Sequence, residues 1–136
     1  MKAGFKDSPL GSIPVGWEVK RLGEIADKRS QKNSDFSAKE IFTNSATEGV
    51  ISQRDYFNKD IGQIEKSQNY GVIHKDDFVY NPRISVSAPV GPINRNHLGT
   101  GAMSPLYTIF RFMQGNLNFL EMFFQTNLWH GYMNNI

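Results

Sequence analysis

From Glu40 to Met113 the apolar residues come in short runs, each bounded by Gly, Pro, Asn or a charged pair. "EIFTNSA", "NYGVI", "DFVYN" and "LYTIFRFM" are rich in β-branched and aromatic side chains. Runs of that length and makeup predict strands separated by turns. In "VIHKDDFVY" a Lys75-Asp76 pair joins two such runs, which predicts a hairpin. In "LYTIFRF", Leu106, Thr108, Phe110 and Phe112 alternate with Tyr107, Ile109 and Arg111. Most of both faces is apolar, which predicts an interior strand.

The two ends follow a different pattern. A Pro-Gly turn at Pro14–Gly16 precedes Trp17, Val19 and Leu22, an extended piece with Trp17 as a core anchor, and then a brief helix around Glu24–Lys28. "QKNSDFSAKE" is polar and reads as a loop. Near the C-terminus, Asn118 and Glu121 have capping-box spacing, and Leu117 and Met122 take the stapling positions. Gly131 supplies a stop for this helix. Phe119, Leu120, Met122, Phe123, Phe124, Leu128 and Trp129 leave it only a narrow polar stripe. A helix so apolar needs cover on most sides, part of it expected from sequence beyond this chain. The expected fold is α+β: a curved, mainly antiparallel β-sheet with a short N-terminal helix and an apolar C-terminal helix.

Size sharpens the picture. A chain of 136 residues is one domain, residues 1–136, with 1–13 expected as a flexible N-terminal segment. There is no cysteine, so disulfides and thiolate metal sites are excluded. No apolar run is long enough for a membrane span, and the first residues lack the apolar core of a secretory signal. A cytoplasmic location with no membrane partner is the expectation.

The net charge of +2 predicts no particular partner, but its distribution is uneven. No acidic residue lies between Asp77 and Glu121, while Arg83, Arg95, His97 and Arg111 do. Lys20, Arg21, Lys28, Arg29, Lys32 and Lys39 outnumber Glu24, Asp27 and Asp35 in the earlier stretch. Two locally basic segments suggest one positive face, against the alternative that they scatter over opposite sides.

Most familiar chemistries find no support. His74, His97 and His130 lack metal-ligand spacing, and "HKDD" at His74–Asp77 reads as a turn. There is no Gly-x-Ser-x-Gly elbow. Glu18-Val-Lys20 has the acid-x-Lys form of some nucleases but no convincing acidic partner before it. Gly99 and Gly101 in "GTGAMS" lack the lysine of a phosphate loop and read as a turn. Asn81-Pro82 resembles the start of a base-methylating motif, but repeated strand–helix units for a cofactor domain are missing.

The acid-free stretch "NPRISVSAPVGPI" offers Arg, Asn and Ser, held stiff by prolines 82, 89 and 92. It reads either as a rigid surface loop or as a nucleic-acid surface. Arg pairs with guanine, Asn or Gln with adenine, and Ser or Thr with base or phosphate. On the second reading Arg83, Asn96 and Gln53 are the base readers, and Lys32, Arg54 and Arg95 contact phosphates. Ser85, Ser87, Thr47, Arg29 and Asn33 complete the candidate surface. Tyr80 and Tyr107 suit either core or interface, with core preferred.

"IPVGWEVKRLGEIADKR", "TNSATEGVISQRDYF", "YGVIHKDDFVYNPRISVSAPVGPI" and "GAMSPLYTIFRF", followed by an aromatic helix, form an ordered series of landmarks. From Ser12 on, this series resembles one target recognition domain of the specificity subunit of type I restriction–modification systems. The resemblance implies a non-catalytic subunit that reads half of a split target in double-stranded DNA. It implies modification (methyltransferase) subunits that bind S-adenosylmethionine and flip the adenine, and a restriction subunit that translocates and cuts. No cofactor is then expected on this chain, since S-adenosylmethionine, ATP and Mg²⁺ belong to the partners. The family pattern also has a long helix pairing into a coiled coil and a second recognition domain, neither present in these residues. A second copy or a second domain would have to complete the target. Three other readings stay open: a general nucleic-acid-binding module preferring single strands, a small metal-dependent nuclease, and a structural domain that docks a protein through its aromatic helix.

Overall fold

The strands seen in the computed structural model follow the runs of branched and aromatic residues, but their partners are less local than the sequence suggests. The structure describes residues 4–7, 13–14, 22–52, 67–82, 91–126 and 129–130. In chain order the strands are β1 (Phe5–Lys6), β2 (Ile13–Pro14), β3 (Ala26–Lys28), β4 (Phe42–Ser45), β5 (Gly49–Ser52), β6 (Gly71–Ile73), β7 (Phe78–Tyr80), β8 (Ile93–Arg95), β9 (Gly101–Met103) and β10 (Thr108–Phe112). Among the described residues are the helices α1 (Leu22–Ile25) and α2 (Leu117–Phe123). The fold is mixed, and the described strand pairs are antiparallel, with an isolated parallel bridge at Ile41 and Ala102. Among the described residues no helix is long and apolar enough to cross a membrane.

A four-stranded sheet in the order β3-β10-β7-β8 forms the middle layer. β10 is interior, as its two apolar faces predict: Ile109 pairs with Val79, and Phe110 with both Phe78 and Lys28. Alternation sends its neighbouring side chains to opposite faces. Phe78, Phe110, Phe112 and Ile93 meet Leu120 and Phe124 on one face. Val79 and Ile109 meet Phe42, Val50, Ile73 and Met103 on the other. The aromatic face is dense, with Phe112 edge-on to Phe78 at 4.9 Å and Trp129 edge-on to Phe124 at 5.1 Å between centroids. Such pairs add to the apolar area they bury. Tyr80 and Tyr107 are half-buried and pack against these two clusters, the core role preferred for them.

Several elements differ from expectation for identifiable reasons. Ala26–Lys28 is a strand because Phe110–Phe112 offers it an edge to pair with, so the early helix is confined to Leu22–Ile25. Lys75 and Asp76 do turn the chain, Asp76 with φ 72°, yet β6 and β7 do not pair. β6 joins β9 and β7 joins β8 and β10, making a corner between layers rather than a hairpin. The C-terminal helix is capped by Asn116, whose side chain accepts from Phe119 N–H at 3.0 Å, and its regular part ends at Phe123. Asn118 instead accepts a hydrogen bond from Arg95. Cover is partial, with Phe119 49% and Met122 69% exposed. Phe5 and Lys6, within the segment expected to be flexible, pair with Pro14 and Ile13. Trp17, Leu128 and Gly131 lie outside the described residues.

Candidate nucleic-acid interface

Strand order sets the polar residues on the two edges of the central sheet, β3 and β8. At one end, Thr108 pairs with Tyr80, and Asn81 N–H donates to Pro92 O at 3.1 Å. This closes the base of the connection that carries Arg83, Ser85 and Ser87, three residues outside the described set. Arg29 lies on the opposite edge, one rung in from Thr108: it follows the Lys28–Phe110 pair and its N–H donates to Ile109 O at 2.8 Å. Lys32 lies nearby, bridged to Gly71, which pairs with Met103 just before the turn into β10. Arg29 and Lys32 make no ion pair with any described residue.

On the β8 side the basic residues are spoken for, Arg95 sharing a rung with Phe78, Phe110 and Lys28. Arg95 is only 12% exposed. Its Nε and Nη2 donate to Asp76 Oδ1 at 3.1 and 2.9 Å, and its Nη1 to Asn118 Oδ1 at 2.7 Å and Glu121 Oε1 at 3.4 Å. His97 Nε2 lies 2.7 Å from the other oxygen of Glu121. Arg111 grips Asp77 through Nε at 2.7 Å and Nη2 at 3.3 Å, and Asp77 is 1% exposed. That carboxylate also accepts His74 N–H at 2.9 Å. Its hydrogen bond raises the Arg111 guanidinium above its ordinary range, outweighing the opposing effect of burial. The acids that bound the acid-free stretch thus fold back onto its cations, and much of the linear charge asymmetry vanishes in space.

One predicted base reader, Asn96, and one further residue of the candidate surface, Asn33, are corrected by burial. Asn96 is fully buried, with Nδ2 donating to His74 O and Gly99 O and Oδ1 accepting from Leu98 N–H. Asn33 is also fully buried: Nδ2 donates to Ala38 O and Ser67 Oγ, and Oδ1 accepts from Ala38 N–H. Each amide has spent its donors and acceptors on the chain, so neither has a base edge left to read. Arg95 is corrected likewise, from phosphate contact to internal tie. A buried asparagine and an exposed one look alike in a single sequence, because both favour turns.

Thr47 sits exposed in the turn between β4 and β5, where Ser45 Oγ accepts its N–H at 3.3 Å. Gln53 and Arg54 lie outside the described residues. The 29–40 loop is held from within by Asn33 and locally by Asp35, whose carboxyl is pulled below the ordinary range chiefly by the Ser37 N–H. Among the described residues no group of His, Asp and Glu is placed to hold a metal ion. The two acids of "HKDD" are instead paired with Arg95 and Arg111.

No protein-family model, curated protein or solved structure matches this chain.

Proposed function

We propose that this chain is a target recognition domain of a type I specificity subunit. It reads one half of a split target in duplex DNA and leaves methyl transfer and cleavage to partner subunits. The observation that supports the reading is the difference in pairing between the basic residues on the two edges of the central sheet. Arg29, just past β3, and Lys32 beside it make no ion pair to a described acid. Arg95 on β8, with Arg111 and His97, is neutralised internally.

Dimensions agree with this. From β3, which leads to Arg29, to β8, which follows the Arg83 connection, there are three interstrand steps. That is roughly 14 Å at the usual spacing, against a major groove about 12 Å wide. Base readers are then Arg83 and Gln53, helped by Ser85, Ser87 and Thr47, while Arg29, Lys32 and Arg54 engage phosphates. The order of landmarks adds support: "YGVI", "DFVYN" and "LYTIFRF" supply β6, β7 and β10, which carry much of the buried framework.

The test is a transplant. Residues 12–136 are exchanged for a recognition domain of different specificity within an assembled methyltransferase, and methylated adenines are mapped across a genome. The reading predicts that half of the split target changes and the other half does not. An unchanged map would remove it.

A further inference from the structure

The base of the Arg83 connection is held by a side-chain relay that no DNA contact explains. Pro92 O accepts two hydrogen bonds, from Asn81 N–H at 3.1 Å and from Asn44 Nδ2 at 3.1 Å. Asn44 Oδ1 in turn accepts from Asn94 Nδ2 at 2.7 Å, and the same Asn94 group donates to Ser45 O at 3.1 Å. Asn44 is buried although it sits on the inner face of β4 beside Phe42, where the pattern calls for an apolar side chain. A polar group in that place costs stability unless its bonds are all made, and these bonds tie two layers together. Gly91 completes the joint: a Cβ there would strike Asn81 O and the Tyr80 ring.

Resting on the DNA-reading function above, we infer that Asn44 and Asn94 are positioning residues for specificity. They key the β4–β5 turn, with Thr47 at its tip, to Pro92 and β8 of the central sheet. Without the relay both pieces keep their own backbone pairing but lose their fixed relation. Thr47, at the tip of the β4–β5 turn, then loses its fixed position relative to β8 and so its register on a base edge, while phosphate contacts at Arg29 and Lys32 persist. Direct readout depends on such placement, whereas phosphate attraction tolerates slack.

The experiment uses the full chain assembled with its modification subunits and a randomised duplex library as probe. Asn44→Ala and Asn44→Asp are compared with Asn96→Ala, which removes an equally buried amide at the far end of the sheet. The relay predicts that both Asn44 variants lower the ratio of preferred to random binding by about tenfold, the size of one good bidentate contact, with an unchanged salt slope. Asn96→Ala lowers stability and keeps the ratio. Amide exchange at Asn81 should speed up in the Asn44 variants and not in Asn96→Ala, a readout that needs no DNA. Equal ratios for Asn44→Ala and Asn96→Ala, or unaltered exchange at Asn81, would overturn the inference. An unmodified assembly with no sequence preference would instead bring down the DNA-reading function on which it rests.

Discussion

Asparagine and arginine at single positions separate structural from binding roles. Asn96 makes three hydrogen bonds in a fully buried site, so Asn96→Ala strands Gly99 O and Leu98 N–H and leaves His74 O with the Asp77 N–H alone. The expected cost is about 2 kcal/mol, measured by denaturant unfolding. Arg111→Ala leaves the 1%-exposed Asp77 carboxylate with only the His74 N–H. Stranding a buried carboxylate costs about 3 kcal/mol, and Arg111→Lys should recover only part because it cannot form the two-pronged contact. The guanidinium has its folded value raised, so its contribution is complete below the unfolded value and is lost only as strong alkali passes the folded one. Stability measured from pH 6 to pH 9 should therefore show no inflection from Arg111. These roles were hidden in the sequence because partners such as Arg95 and Glu121 are joined by tertiary folding, not by spacing.

At the level of elements, local signals were legible where they coincided with burial. β4, β6, β7 and β10 follow from branched and aromatic runs, and the double-faced apolar pattern of β10 places it inside the sheet. β8 and β9 escaped notice because "INR" and "GAM" are short and weak formers; their partners β7 and β6 recruit them. Gly101 shows why a residue that reads as turn punctuation stands in a strand: a Cβ there would collide with the Phe42 ring. Gly101→Ala should cost about 1–3 kcal/mol through that overpacking, seen as a lower midpoint in thermal unfolding. The helix cap was misplaced by two residues because Asn116 and Asn118 are both good caps, and Arg95 takes the second. Asn116→Ala should cost about 1 kcal/mol, while Asn118→Ala should leave helix content unchanged and weaken only the tie to β8. Circular dichroism and unfolding together distinguish the two.

For the whole molecule, the layered arrangement decides which charges face outward. The β8 edge of the central sheet is stitched to α2 by Arg95 and the nearby His97, and to the turn after α2 by Gln125, whose Nε2 donates to Ile93 O at 3.2 Å. The β3 edge leads to Arg29, with Lys32 in the loop that follows. The linear sequence placed Arg83 and Arg95 in one basic run, and folding assigns Arg95 to the stitched edge. The most direct measurement of this division is the salt dependence of duplex binding by the assembled enzyme, with Arg29→Ala, Lys32→Ala and Arg95→Ala compared in turn. Each phosphate contact removed should flatten the slope of log affinity against log salt by about one unit. Arg29→Ala and Lys32→Ala are expected to do so for every sequence alike, and Arg95→Ala to leave the slope unchanged while lowering stability. A flattened slope for Arg95→Ala, with Arg29→Ala and Lys32→Ala indistinguishable from the unmodified chain, would contradict the account.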